Sequence, residues 1–142
     1  MAEIRKVGLI ARRGDRVLLC RKRGSARLIL PGGKPEQGEA PLETLHRELR
    51  EELGHVVLQE PAWLGTYRDS TAAEAWAPAR TIEIILFAGT LTGEPVASNE
   101  IEALVWFGRE DPWDPLAPSL QRQIFPDLIE RGVLPWDNNQ PR

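Results

Sequence analysis

Short apolar runs split by glycine and proline dominate the chain, and several of them alternate with polar residues as half-buried strands do. "IRKVGLIARR" (Ile4 to Arg13) predicts a strand, Gly14-Asp15 a turn, and "RVLLCRKR" (Arg16 to Arg23) a returning strand, so the pair reads as a hairpin. "RLILPGGK" is a brief apolar run closed by Pro31-Gly32-Gly33, whose two glycines permit backbone angles and close approaches that a side chain would block. The spacing then changes from two to three and four. Leu42, Leu45, Leu49 and Leu53 form an apolar stripe over Pro41 to Leu53, with proline at a first helical position and Gly54 just past the last. Beyond Gly54 the strand pattern returns. "HVVLQEPAWLGTYRDS" reads as extended, with Pro61 a break or an edge position. "AAEAWAPA" reads as a loop, "RTIEIILFAGTL" as the longest strand, "TGEPVASNE" as a loop and "EALVWFG" as a further strand. "REDPWDPLAP" is a proline-rich connection. "SLQRQIFPDLIERG" predicts a second helix, with Leu120, Ile124, Leu128 and Ile129 on one face and a kink at Pro126. The end of the chain, from about residue 135, reads as a loose tail. No internal repeat is visible. Strands on either side of one central helix, with a late second helix, predict an α/β or α+β sandwich.

Bulk properties narrow the function classes. A chain of 142 residues suits one domain, expected over residues 1–142. A composition 42% hydrophobic and 27% charged is that of a globular protein. The net charge of −3 supplies no global basic field, so neither a nucleic acid polymer nor an anionic membrane is expected as partner. The single cysteine, Cys20, leaves no internal disulfide and fits a reducing compartment; mid-strand and with no histidine nearby, it reads as packing. The first residues lack a signal-peptide pattern, and no stretch approaches the ~20 apolar residues of a membrane span. A cytoplasmic protein is the expectation.

The helix carries an anomaly. At about 100° per residue, Glu48, Glu51 and Glu52 fall in one sector, beside the leucine stripe and not opposite it. Like charges at these spacings repel, and in a last turn the helix dipole disfavours them. A divalent cation reverses both penalties, and hard oxygen ligands suit Mg²⁺ or Mn²⁺ completed by waters and substrate phosphates. A solvated acidic face neutralised by Arg47 and Arg50 is the plainer alternative.

The longer stretch decides between them. Gly33, Glu39, Arg47-Glu48-Leu49-Arg50-Glu51-Glu52-Leu53-Gly54 resembles the Nudix box, G-x5-E-x7-R-E-U-x-E-E-x-G-U, of the MutT-like Nudix hydrolases, and the flanking "LPGG" and "KPEQGE" are similar too. His55 stands where the last aliphatic position belongs; it is read as a core or edge histidine opening the next strand.

The resemblance implies a Nudix fold, a mixed sheet sandwiched between helices. It implies a metal-dependent pyrophosphohydrolase that cleaves a nucleoside diphosphate linked to another group, with (d)NTP-type substrates first. Nucleotide sugars, dinucleoside polyphosphates, ADP-ribose-type compounds and a non-catalytic nucleotide-binding module are the alternatives. It implies Mg²⁺, or Mn²⁺, held by Glu48, Glu51 and Glu52 with the Gly32 carbonyl. Arg47 would orient a glutamate, and a base would come from Glu48 or from a later loop. In that loop, strand alternation puts Glu100 and Glu102 on one face; Glu100, nearer the loop, is favoured as further ligand or base. Glu39 lies too far along the helix to share the metal cluster and is read as a cap or a partner of Lys34 or an arginine. Arg23, Arg27 and Lys34 are the candidates for holding phosphates, from a basic stretch that also contains Arg21 and Lys22. Tyr67, Trp76, Phe87, Trp106 and Trp113 are the aromatic residues available to stack on a base. Family members often pair, so a homodimer is allowed.

Overall fold

In the computed structural model, which describes residues 3–70 and 80–137, the first strand does not run on into the hairpin. β1 (Glu3–Ile10) ends at Ala11, and β2 (Arg12–Arg13) pairs with β3 (Arg16–Lys22) across the two-residue turn Gly14-Asp15. Gly14 takes φ +63°, which glycine adopts without steric cost. The expected hairpin therefore exists, but only its last two residues on the first arm take part. β1 belongs to another sheet, where it pairs with β4 and β6.

β4 (Gly32–Gly33), α1 (Pro41–Leu53), β5 (Val57–Ser70), β6 (Thr81–Thr92) and β7 (Ile101–Phe107) follow. Among the described residues the strands form two sheets, one ordered β4-β1-β6-β5 and one β2-β3-β7. β1 runs parallel to β6 and antiparallel to β4, so the larger sheet is mixed. β5, at 14 residues, exceeds β6 at 12. It reaches that length as an edge strand with register shifts at Gln59/Ala62 and Trp63/Gly65, where Glu60 has φ +52° and Pro61 needs no ladder partner.

Alternation divides the apolar side chains between two cores. Val7, Leu9, Leu18, Cys20 and Phe87 face α1 and meet Leu45, Leu49 and Leu53. Ile10, Val17, Leu19, Ile84, Leu86 and Phe107 face the other way and meet Leu120, Ile124, Phe125 and Leu128. The strands thus lie between helices, as the resemblance implies. α1 has the expected boundaries, and the Glu43 carboxylate closes its first turn by accepting from the Ala40 N–H at 2.8 Å.

The second helix differs from expectation. A single π-helical turn, Leu120–Ile124, leads into α2 (Phe125–Glu130), and Pro126 sits in the first turn of α2, where its missing N–H costs no bond. Of the tail expected to be loose, residues 135–137 are described, and there Trp136 is buried against Phe107 and Phe125 and donates from its indole nitrogen to the Asp15 carbonyl at 2.6 Å. Residues 71–79, where a loop with Trp76 is expected, and residues 138–142 lie outside the described residues. No described helix is long and apolar enough to cross a membrane.

Candidate active site

The turn after Pro31 brings α1 against β1. Gly32 has φ +138°, and a Cβ there would lie 2.0 Å from the Val7 carbonyl oxygen; a Cβ on Gly33 would lie 2.4 Å from the Glu48 carboxyl carbon. Only glycines allow the Glu48 carboxylate to rest on this stretch of main chain. One turn further along α1, the Gly32 N–H donates to Glu52 Oε1 at 3.0 Å. Glu52 is only 2% exposed. It lies in the buried face of α1, inward of the position the helical wheel assigns it. Burial pushes its carboxyl up to about 7; the Gly32 hydrogen bond and Lys22 pull it down, while Glu48 and Glu100 push it further up. Burial also raises the Glu48 carboxyl, against the hydrogen bond from Arg47.

Arg47 ties the preceding loop to this helix. Its Nε and Nη2 grip both oxygens of Glu39, at 2.7 and 2.9 Å. Nη1 donates to Glu48 Oε2 at 3.0 Å, and Nη2 also reaches the Lys34 carbonyl at 3.0 Å. Glu39 accepts in addition from the Glu36 N–H and the Thr44 hydroxyl. The Arg47 hydrogen bonds, then that of Glu36, hold the Glu39 carboxyl down at about 2. Glu39 is thus the anchor of the loop, bound to an arginine as one of the two readings has it. Glu51 turns outward, 52% exposed, with Oε1 3.5 Å from Arg47 Nη1.

The loop before β7 is fastened to the C-terminal end of α1, whose last carbonyls have no partner within the helix. The Val96 N–H donates to Leu53 O, the Ser98 N–H to Glu52 O, and Asn99 Nδ2 to Glu51 O. This docking carries Glu100 to the site. Glu102 does not follow it. Lys22 pairs with Ile101 and Arg21 with Ala103, so Glu102 is the extra residue of a bulge. Ile101 and Leu104 consequently face the same core, which unbroken alternation forbids. Glu102 instead accepts from Arg21 at 3.0 Å.

Gly32, Gly33, Lys34, Glu48 and Glu100 line one cavity of about 600 Å³, roofed by Ala117 to Leu120 and Ile124. Lys22, from the basic stretch named above, lines it as well, and so does Lys6, which was not selected from the sequence. Lys6 carried a signal: alternation sets it on one face with Ile4 and Gly8, as the one charge on that face of the strand. Arg27 is engaged elsewhere, donating to the Asp114 and Leu116 carbonyls, and Arg23 donates to Asn99 O. None of the described aromatic candidates lines the cavity. Tyr67 hydrogen-bonds Asp127, Phe87 and Trp113 are buried, and Trp106 lies under the Arg13 guanidinium. His55 is exposed and precedes β5; the aliphatic role passes to buried Val56.

A family profile described as NUDIX domain matches residues 3–128. The chain belongs to the NUDIX family. The NUDIX fold is also found in solved structures similar to this chain. The E. coli ORF135 protein is 29% identical, with 96% of each chain covered and a TM-score of 0.68. A mutator MutT protein from Bacillus halodurans is 28% identical over 87% of this chain and 80% of its own, with a TM-score of 0.68. A MutT NUDIX hydrolase from Burkholderia pseudomallei is 25% identical over 85% and 95%, with a TM-score of 0.72. A search of curated proteins finds no match.

A NUDIX chain raises the question of a divalent metal. Among the described residues no three His, Cys, Asp or Glu side chains converge as a ready cage. The donor set is nevertheless all hard oxygen, with the charges of Glu48 and Glu100 close enough to raise the Glu52 carboxyl and that of Glu100 close enough to raise Glu48. Mg²⁺ is held through one or two carboxylates plus waters and substrate phosphates, so Glu48, which lines the cavity, and Glu52, one turn further along α1, fit it.

Proposed function

We propose that the chain is a metal-dependent pyrophosphohydrolase acting on a nucleoside diphosphate linked to another group, with (d)NTP-type compounds as its substrates. The observation that carries this reading is the meeting of Glu48 and Glu52 with the Gly32–Gly33 main chain beside a cavity lined by lysines. Similarity to MutT proteins supports the (d)NTP choice.

Water attacks phosphorus, one P–O bond of the anhydride breaks, and a nucleoside monophosphate and pyrophosphate leave. Mg²⁺, or Mn²⁺ in its place, would be held by Glu48 and Glu52, with Glu51, Glu100 and the Gly32 carbonyl as further donors. Bound there, it supplies charge neutralisation of the diphosphate and acidification of a coordinated water. Glu48 is the base in this reading. Its carboxyl is raised by burial and oriented by Arg47, while it still faces the cavity. Arg47 is a positioning residue. Lys34 lies within the cavity to meet phosphate oxygens. The cytoplasm remains the compartment we infer; Cys20 is buried and its thiol is pushed up by burial, which suits packing over reactivity.

The test is a panel of nucleoside di- and triphosphates, nucleotide sugars and dinucleoside polyphosphates incubated with Mg²⁺ or Mn²⁺, with products identified by mass spectrometry. Release of a nucleoside monophosphate and pyrophosphate from a triphosphate supports the reading. Preference for a nucleotide sugar or dinucleoside polyphosphate corrects the substrate class. No turnover with either metal refutes the activity.

A further inference from the structure

β1 is an interior strand of its sheet, flanked by β4 and β6. Lys6 stands on it opposite Ile84 of β6, on the face shared with Gly8 and Ile10. A lysine at such a place is unusual, since an ammonium removed from water costs free energy unless something compensates it. Among the described residues, neither Lys6 nor Lys34 gives its ammonium to a hydrogen bond or an ion pair, and Lys22 has one long contact, 3.9 Å, to Glu100, itself 61% exposed. All three lysines line the same cavity. Burial first, then the charges of Lys22 and Lys34, depress the Lys6 ammonium, against the pull of Glu52 and Glu100. Three cations line one cavity, two of them with no partner among the described residues, and such a lining suits a polyanionic ligand.

The strand order fixes where on the wall that anion would lie. Crossing the sheet from β4, a ligand meets Gly32 and Gly33 beside Glu48, then Lys6 on β1, then Ile82 and Ile84 on β6, then Asp69 on β5. At about 4.8 Å per strand, the strand of Lys6 lies next to β4 and the strand of Asp69 roughly 14 Å from β4. Charge therefore gives way to an aliphatic stretch directly beyond Lys6.

We propose that Lys6 is a substrate-binding residue whose ammonium holds the phosphate of the diphosphate lying over β1, away from the reacting end at Glu48 and Glu52, and so fixes the direction in which the substrate crosses the sheet. The inference rests on the proposed hydrolysis of a diphosphate and names which group of that substrate meets which strand. Because the phosphate that Lys6 holds is already charged in the ground state, Lys6 binds the substrate before the anhydride breaks, so its loss falls chiefly on KM.

The experiment compares the parent with Lys6→Met and Lys6→Arg. It measures KM and kcat on the compound the panel selects, the affinity for inorganic pyrophosphate by calorimetry, and the melting temperature without ligand. Lys6→Met is expected to raise KM and the pyrophosphate Kd at least tenfold and leave kcat within threefold. Its melting temperature should equal or exceed that of the parent, because an unpaired half-buried charge is gone. Lys6→Arg should keep the pyrophosphate Kd within about threefold of the parent. Unchanged Kd and KM in Lys6→Met overturn the proposal, as does a fall in melting temperature with KM intact, which would mark a structural lysine. Should Lys6→Met fail to fold, Lys6→Gln serves the same comparison. A parent that binds pyrophosphate through Lys6 yet hydrolyses nothing refutes the activity and not this site; turnover indifferent to Lys6 does the reverse.

Discussion

Glu52→Gln probes the buried carboxylate through folding stability, with no substrate present. In the folded protein the Glu52 carboxyl ionises near 7, against 4.5 for the ordinary group. Between those values the unfolded chain has released the proton while the folded protein still holds it. The unfolded state binds fewer protons there, so the Glu52 contribution to stability falls as pH rises through the window. The displacement of about 2.5 pH units corresponds to roughly 3 kcal/mol at 1.36 kcal/mol per unit. The glutamine variant carries no such titration and keeps an oxygen able to accept from the Gly32 N–H. Urea denaturation in chelator at a series of pH values from 4.5 to 8.5 measures both proteins. The variant should match the parent near pH 4.5, gain on it steadily to about pH 7, and exceed it by a near-constant roughly 3 kcal/mol above. Millimolar Mg²⁺ should shrink the gap at pH 8 by stabilising the parent alone. A stability difference independent of pH between 5 and 8 would refute the argument that burial dominates at Glu52.

Gly33→Ala sets a methyl group where the Glu48 carboxyl lies, 2.4 Å from its carbon, so the carboxylate must swing away from β4. Turnover should fall at least tenfold while urea stability falls by about 1–3 kcal/mol, as overpacking does; activity near that of the parent would show that Glu48 need not rest on this main chain. Glu100→Gln and Glu102→Gln separate two glutamates that differ by one bulge. The first should lower kcat/KM severalfold and the second leave it within twofold, since Glu102 is engaged by Arg21 outside the cavity. Equal losses in steady-state assays would contradict that division.

What was legible in the sequence was what local spacing controls. The ends of α1 follow from Pro41, the leucine stripe and Gly54, and the box residues on it and before it could be read one by one. What was not legible depends on register and on partners distant in the chain. Glu52 counts as a flank residue on a wheel and becomes a core residue because the Gly32 N–H meets it across twenty residues. Glu102 leaves the face of Glu100 because β3 and β7 pair with a bulge that no alternation pattern announces. Lys6 looks like a surface charge until β4 and β6 enclose its strand and the segment at Ala117 to Leu120 roofs it. Trp136 lies in a polar, proline-containing end that reads as loose, and its ring is held by Phe107 and Phe125 from two other elements. Arg27 reads as a phosphate ligand by composition, whereas carbonyls of the proline-rich connection take its guanidinium.

The most direct test of the central claim is the rate of (d)NTP hydrolysis with and without Mg²⁺ for the parent, Glu48→Gln and Glu52→Gln. The account predicts pyrophosphate release by the parent only when metal is present, and a loss of at least a hundredfold in each variant while both stay folded. Hydrolysis that survives both substitutions, or proceeds equally well in chelator, would contradict it.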